Sequence, residues 1–162
     1  MHDTSFYQNR ARLASVSKLF LAGDAGFNRN GLKKGILIVE DDEGVRGFLQ
    51  AVLTSEGYQV FEADSEGQAL NVWKQHFFRI DLLLTDICIP YVTTGVALAK
   101  KLQAEKPWLK VIYTTGFSAE IVANDGVSLV ENVNFFCKPY PFRKLLEALA
   151  NTFKASPRLS AN

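Results

Sequence analysis

From Gly35 onward the chain alternates short unbroken apolar runs with longer stretches where apolar residues recur every three or four positions. "ILIVE" (36–40) reads as a buried strand that ends on an acid. Val45, Phe48, Leu49, Val52 and Leu53 follow at helical spacing, and Gly57 ends that helix. "YQVFEA" (58–63) is a second strand. Asp64 or Ser65 caps the next helix, with Gln68 three residues after Ser65, and Ala69, Leu70, Trp73 and Phe77 mark its buried side. "DLLLTD" (81–86) is a third strand, followed by a helix of roughly 94–105 that stops before Pro107. "KVIYTT" (110–115) is the fourth strand. "SAEIVAND" (118–125) supports at most a short helix, and the chain is irregular to Asn132. "VNFFC" (133–137) is the fifth strand. Phe142, Leu145, Leu146, Leu149 and Phe153 then form an amphipathic last helix.

Strands alternating with helices in this way predict an α/β fold: a doubly wound five-stranded parallel sheet with helices on both faces. The most apolar strands, 36–39 and 82–84, belong at its centre. In such sheets ligands bind at the carboxyl ends of strands, so those ends are where chemistry is sought. The first strand ends in Glu40-Asp41-Asp42 and the third in Asp86. The fourth ends in Thr114-Thr115-Gly116 and the fifth in Cys137-Lys138-Pro139. An isolated Asp at a strand end is ordinarily a helix cap or turn former. Acids, acid, hydroxyl and amine delivered by four strand ends form a much more specific combination.

Composition narrows the classes. The 162 residues are 48% hydrophobic and 22% charged, with formal net charge +1, so no global field argues for nucleic acid or an anionic membrane. Cys88 and Cys137 are too few for a disulfide scaffold; both lie in apolar stretches and read as reduced core thiols of a cytoplasmic protein. No apolar run approaches a membrane span, and "LFLA" is too short for a signal-peptide core. Residues 1–34 stand apart. They hold Arg10, Arg12, Lys18, Arg29, Lys33 and Lys34 against Asp3 and Asp24, with a loop-like "GDAGFNRNG". They are expected to be an extension, either flexible or a short helix with Phe6, Leu13, Val16 and Phe20 on one side. Residues 35–154 then form the folded domain and 155–162 a tail.

"ILIVEDDEGVR", "DLLLTDICIP", "VIYTTG" and "FFCKPY" resemble, in order, the sequence blocks of the receiver domain of two-component response regulators, over about residues 35–154. "TTGFS" and "CKPYPFRKLLEAL" look most like single-receiver proteins and the receivers of hybrid histidine kinases. The resemblance implies strand order 2-1-3-4-5, with Asp86 as phosphoryl acceptor, Glu40 and Asp41 as the acidic pair, Thr115 as switch hydroxyl and Lys138 as the site lysine. It makes Phe135 the aromatic that responds to phosphorylation. Gly116 leaves room for the phosphoryl group, and Phe117, with Cys88, flanks the path of an attacking water. It implies a cis Lys138-Pro139 bond. The expected cofactor is Mg²⁺, because clustered carboxylates demand a cation and Mg²⁺ takes carboxylates, phosphate oxygens and water; its expected ligands are Asp41, Asp86 and the backbone carbonyl of Cys88, with Glu40 acting directly or through water. The implied partners are a histidine kinase or histidine phosphotransfer protein and an unknown downstream protein. No enzymatic activity is implied beyond the protein's own phosphorylation and dephosphorylation.

Departures from the family pattern cluster near the acceptor. Cys88 stands where a polar side chain is common, Ile89 where many members have Met, and "YVTTG" where a glycine-rich turn is usual. Asp42 and Glu43 read as helix-start residues, Asp81 and Thr114 as structural, and neither His2 nor His76 as a phosphohistidine. A haloacid-dehalogenase-type phosphatase needs a second acid two residues after the first, where this chain has Cys88. A DNA-binding output domain has no room in "ASPRLSAN" after the last helix. A pseudo-receiver, a binding module without phosphorylation, stays open as the alternative function.

Overall fold

A computed structural model describes residues 33–89, 94–116 and 128–154. Five strands, β1 (Gly35–Val39), β2 (Gln59–Ala63), β3 (Leu82–Asp86), β4 (Lys110–Thr115) and β5 (Phe135–Cys137), form one parallel sheet in the order β2-β1-β3-β4-β5. The described helices are α1 (Glu43–Ser55), α2 (Glu66–His76), α3 (Gly95–Glu105) and α4 (Phe142–Lys154). The expected order is therefore found, and β1 and β3 are buried along their whole length inside the sheet. β5 is shorter than expected: Val133 is exposed and the ladder begins at Phe135. The segments 1–32, 118–125 and 155–162 on which an extension, a short helix and a tail were expected lie outside the described residues.

Successive strand residues point to opposite faces, so each continuous apolar run feeds two cores. Leu37, Val39, Leu83, Tyr113 and Phe135 pack with Ala69 and Trp73 of α2 and Val96, Ala99 and Leu102 of α3. Ile36, Ile38, Leu82, Leu84, Ile112 and Phe136 pack with Leu49 and Leu53 of α1 and Leu145, Leu149 and Phe153 of α4. Aromatic pairs close the second face: Phe48 meets Phe142 edge-on at 5.3 Å, and Tyr58 stacks on Phe153 at 5.7 Å.

Local signals set the helix limits. Asp42 caps α1 through Val45 N–H, Ser65 caps α2 through Gln68 N–H, and Thr94 caps α3 through Ala97 N–H. Gly57 follows α1 at φ +90°, a conformation that side chains resist. At the amino ends of the strands, Asp81 accepts from Gly35 N–H at 2.9 Å, which joins the starts of β1 and β3. There the buried Lys106 donates to the carbonyls of Phe77 and Ile80, 3.0 and 2.6 Å away. Burial holds its ammonium below the usual lysine range, with Asp81 opposing. Among the described residues no helix is long and apolar enough to cross a membrane.

Burial raises the Tyr58 and Tyr113 phenols to about 12, with the Glu56 charge adding to the effect at Tyr58. The folded protein keeps these protons where the unfolded chain loses them. Stability is therefore complete below about pH 10, the ordinary tyrosine value, and is lost as pH climbs from there toward 12. Each phenol contributes at most about 3 kcal/mol to that loss. Urea denaturation between pH 9 and 11.5 should show the decline, and Tyr58→Phe should make it shallower. An unchanged slope in that variant excludes Tyr58 as a cause.

Candidate functional site

The parallel register builds the site. Val39 pairs with Thr85, so the next residues, Glu40 and Asp86, reach the same level as β1 and β3 end. Asp86 pairs with Thr114, and Thr115 pairs with Cys137, which carries Lys138 to the same edge. Glu40 N–H donates to the Ala63 carbonyl of β2, and Lys138 N–H to the Thr115 carbonyl of β4. Residues 98 positions apart thus meet because a twisted sheet aligns its strand ends.

Three carboxylates gather there. Oxygens of Glu40, Asp41 and Asp86 lie within 4.8 Å of one another. Glu40 is 2% exposed and Asp86 6%, while Asp41 is exposed. Lys138 Nζ stands 2.7 Å from Glu40 Oε2 and 2.6 Å from Asp86 Oδ2. Burial raises the Glu40 carboxyl above its ordinary value, against the pull of Lys138 and with help from the Asp86 and Asp41 charges. For Lys138, burial favours the neutral amine, but the Glu40 and Asp86 carboxylates outweigh it and hold the ammonium above the usual lysine range. Lys138-Pro139 is cis, as the resemblance implied.

The second oxygen of Asp86, Oδ1, accepts from the Cys88 N–H at 2.9 Å, so the chain turns around the carboxylate as it leaves β3. Cys88 corrects one expectation. It is an exposed thiol at the site, not a core one, because the chain has left the sheet by that point; its sulfur lies 4.0 Å from Thr115 Oγ1. Cys137 is half-buried, and its thiol donates to the Lys138 carbonyl at 3.9 Å. Thr115 is fully buried at the end of β4, and Gly116 is exposed with open space where a side chain would begin. Phe135 is 2% exposed in the core beneath α2 and α3, so packing holds it. Phe117 lies outside the described residues. His76 stacks on Phe61, away from these residues.

Sequence reading missed two residues that shape this edge. Gly95 opens α3 against the end of β3, and a Cβ there would stand 2.1 Å from the Asp86 carbonyl oxygen. The glycine of "YVTTG" therefore permits the close approach, and Gly95 N–H donates to the Ile87 carbonyl. Arg46 reaches back from α1 to the carbonyls of Glu40 and Asp41. Its signal was an arginine one turn into a helix that follows the acids.

The response regulator receiver domain model matches residues 36–150. The chain is 33% identical to the response regulator receiver protein CpdR of Brucella abortus (strain 2308), over 72% of this chain and 93% of that protein. It is 30% identical to sporulation initiation phosphotransferase F of Bacillus subtilis (strain 168), over 73% of this chain and 92% of that one. Among solved structures it resembles the receiver domain of the hybrid histidine kinase CckA, with 29% identity, TM-score 0.59, and coverage of 73% and 97%.

Lys138→Met should leave two buried carboxylates without their ammonium. With Lys138 about a quarter solvent-exposed, the loss in metal-free protein should be about 3 kcal/mol at neutral pH, the low end for a broken buried pair. Because the folded Glu40 carboxyl already sits above its ordinary value, its contribution is complete at low pH and lost as pH rises. The deficit of the variant should therefore shrink as pH falls through the carboxylate range. Denaturant titrations of both proteins at pH 4.5 and 7.5 check this; an equal deficit at both rules out the charge argument.

Proposed function

This chain belongs to the response regulator receiver domain family, and on that premise we propose that Asp86 accepts a phosphoryl group from a phosphohistidine with Mg²⁺ bound beside it. The observation that carries the reading is the convergence of the Glu40, Asp41 and Asp86 oxygens within 4.8 Å, next to the Lys138 ammonium. Two buried acids and a third at the mouth form an oxygen-only donor set, which suits Mg²⁺. Glu40, Asp41, Asp86 and the Cys88 carbonyl would hold it. When bound, it supplies charge neutralisation for phosphate oxygens.

The chain's own residues divide the rest of the work. An Asp86 carboxylate oxygen forms the new bond to phosphorus while the bond from phosphorus to the donor imidazole nitrogen breaks, its electron pair staying on that nitrogen. Lys138, now held between Glu40 and Asp86, turns its charge to a phosphoryl oxygen. Thr115 donates its hydroxyl to another, and the open space at Gly116 admits the group. The Cys88 N–H fixes Asp86 Oδ1 and so orients the carboxylate. Thr115 and Phe135 carry the change into the β4–β5 region, Phe135 through packing because it has no hydroxyl. The donor is a histidine kinase or histidine phosphotransfer protein charged from ATP, which places the exchange in the cytoplasm. The output is phosphorylation-dependent contact with a further protein, or storage of phosphate as a sink. Catalysis is confined to the protein's own phosphorylation and hydrolysis.

Wild type should take a hydroxylamine-labile label from a phosphorylated histidine kinase in Mg²⁺, and Asp86→Asn should take none. Label at the wild-type level in that variant would falsify the acceptor assignment, and failure of wild type to label with any donor tested would favour a pseudo-receiver binding module. Hydrolysis should be slow. A thiol orients an attacking water poorly, and Cys88 and Phe117 are the side chains assigned to that approach. Cys88→Asn should therefore lose phosphate severalfold faster than wild type at fixed Mg²⁺; equal rates would remove Cys88 from the explanation.

A further inference from the structure

Arg46 leaves α1 within its first turns, and a long helical side chain points back toward the helix start. Its guanidinium consequently lies over the turn that joins β1 to α1. Nη1 donates to the Glu40 carbonyl at 2.8 Å and to the Asp41 carbonyl at 3.3 Å. Nε faces Glu62 Oε1 of β2 at 3.9 Å, and the side chain is only 17% exposed. The carboxylates themselves are not its partners in these bonds. It grips the two peptide units from which the Glu40 and Asp41 side chains project.

From this geometry we propose that Arg46 is a positioning residue for the metal-binding acids, which fixes the backbone so that Glu40 points into the buried cleft and Asp41 stands at its mouth. The inference rests on the reading of this edge as a Mg²⁺ site. Holding both carbonyls sets the peptide planes at 40–42, and those planes set the directions of the two side chains. Mg²⁺ demands near-ideal octahedral geometry and tolerates little tilt in its ligands. Glu62 ties the guanidinium to β2, so the acids are referenced to the sheet as well as to α1.

A charge role and a positioning role predict opposite signs. The guanidinium is a cation near a site for a dication, so removing its charge alone strengthens Mg²⁺ binding. Removing its grip weakens binding, by roughly tenfold for a partner that orients metal ligands.

The test is Mg²⁺ titration of the full chain, followed by backbone amide NMR shifts near the acids, for wild type, Arg46→Met, Arg46→Lys and Asp41→Asn. The expected result is about tenfold weaker binding in Arg46→Met, with the amide spectrum unchanged away from the β1–α1 turn, and an intermediate affinity in Arg46→Lys. Affinity within twofold of wild type, or tighter, in Arg46→Met overturns the proposal. If Arg46→Met fails to fold, Arg46→Lys decides. It keeps the charge, but one ammonium lacks the guanidinium fork, so weakening at constant charge supports positioning and wild-type affinity overturns it. Asp41→Asn separates the two readings. If it binds Mg²⁺ like wild type, the metal site itself is misassigned; if it loses Mg²⁺ while Arg46→Met does not, only the role of Arg46 fails.

Discussion

Everything at the carboxyl edge of the sheet depends on one ammonium facing two buried carboxylates. Lys138 lies 2.7 Å from Glu40 and 2.6 Å from Asp86, and Asp41 adds a third negative group within reach. Like charges gathered in a partly buried site repel, and burial makes Glu40 more costly to ionise. One lysine offsets part of that charge and leaves a net negative site. Such a site is suited to a dication and to a phosphoryl group that arrives with its own negative oxygens.

The hydrophobic body is what makes this arrangement rigid. Glu40 follows β1 and Lys138 follows β5, strands that are not neighbours, with β3 and β4 between them. Their side chains meet only if all four strands keep register. That register is held by two apolar layers, one under α2 and α3 and the other under α1 and α4. Close approach at the edge then needs small groups. Gly95 allows α3 to start against the Asp86 carbonyl, where any Cβ would collide with backbone. At the opposite edge Asp81 and Lys106 satisfy backbone groups where loops enter the sheet. Charged residues at the amino ends thus satisfy the backbone, and those at the carboxyl ends gather into one cluster.

The thiol at Cys88 shows how local context overrides a sequence pattern. Its neighbours Ile87 and Ile89 are buried, which made the stretch look like core. The chain turns there so that Cys88 N–H reaches Asp86 Oδ1, and the turn sends the side chain outward beside Thr115. Arg46 illustrates the converse. An arginine on an amphipathic helix ordinarily belongs to a solvated face, yet here the backward lean of the side chain brings it onto the carbonyls of Glu40 and Asp41.

The sequence by itself determined the order and kind of the elements, because apolar runs and helical periodicity are local properties of the chain. It also determined which residue types end the strands, and the match of "ILIVEDDEGVR", "DLLLTDICIP", "VIYTTG" and "FFCKPY" to receiver domains supplied their order in the sheet. Asp42 was legible as a helix-start residue and Asp64 or Ser65 as a cap because such signals span only a few residues; the structure makes Asp42 and Ser65 the caps. Only the tertiary structure decided that Lys138 pairs with both Glu40 and Asp86, that Asp41 stays exposed while Glu40 is buried, and that Gly95 and Arg46 belong to the site. Those facts depend on contacts between residues far apart in sequence, or on the direction a side chain takes once its backbone is placed. Neither is encoded in local periodicity; both follow from the register of an open, twisted sheet.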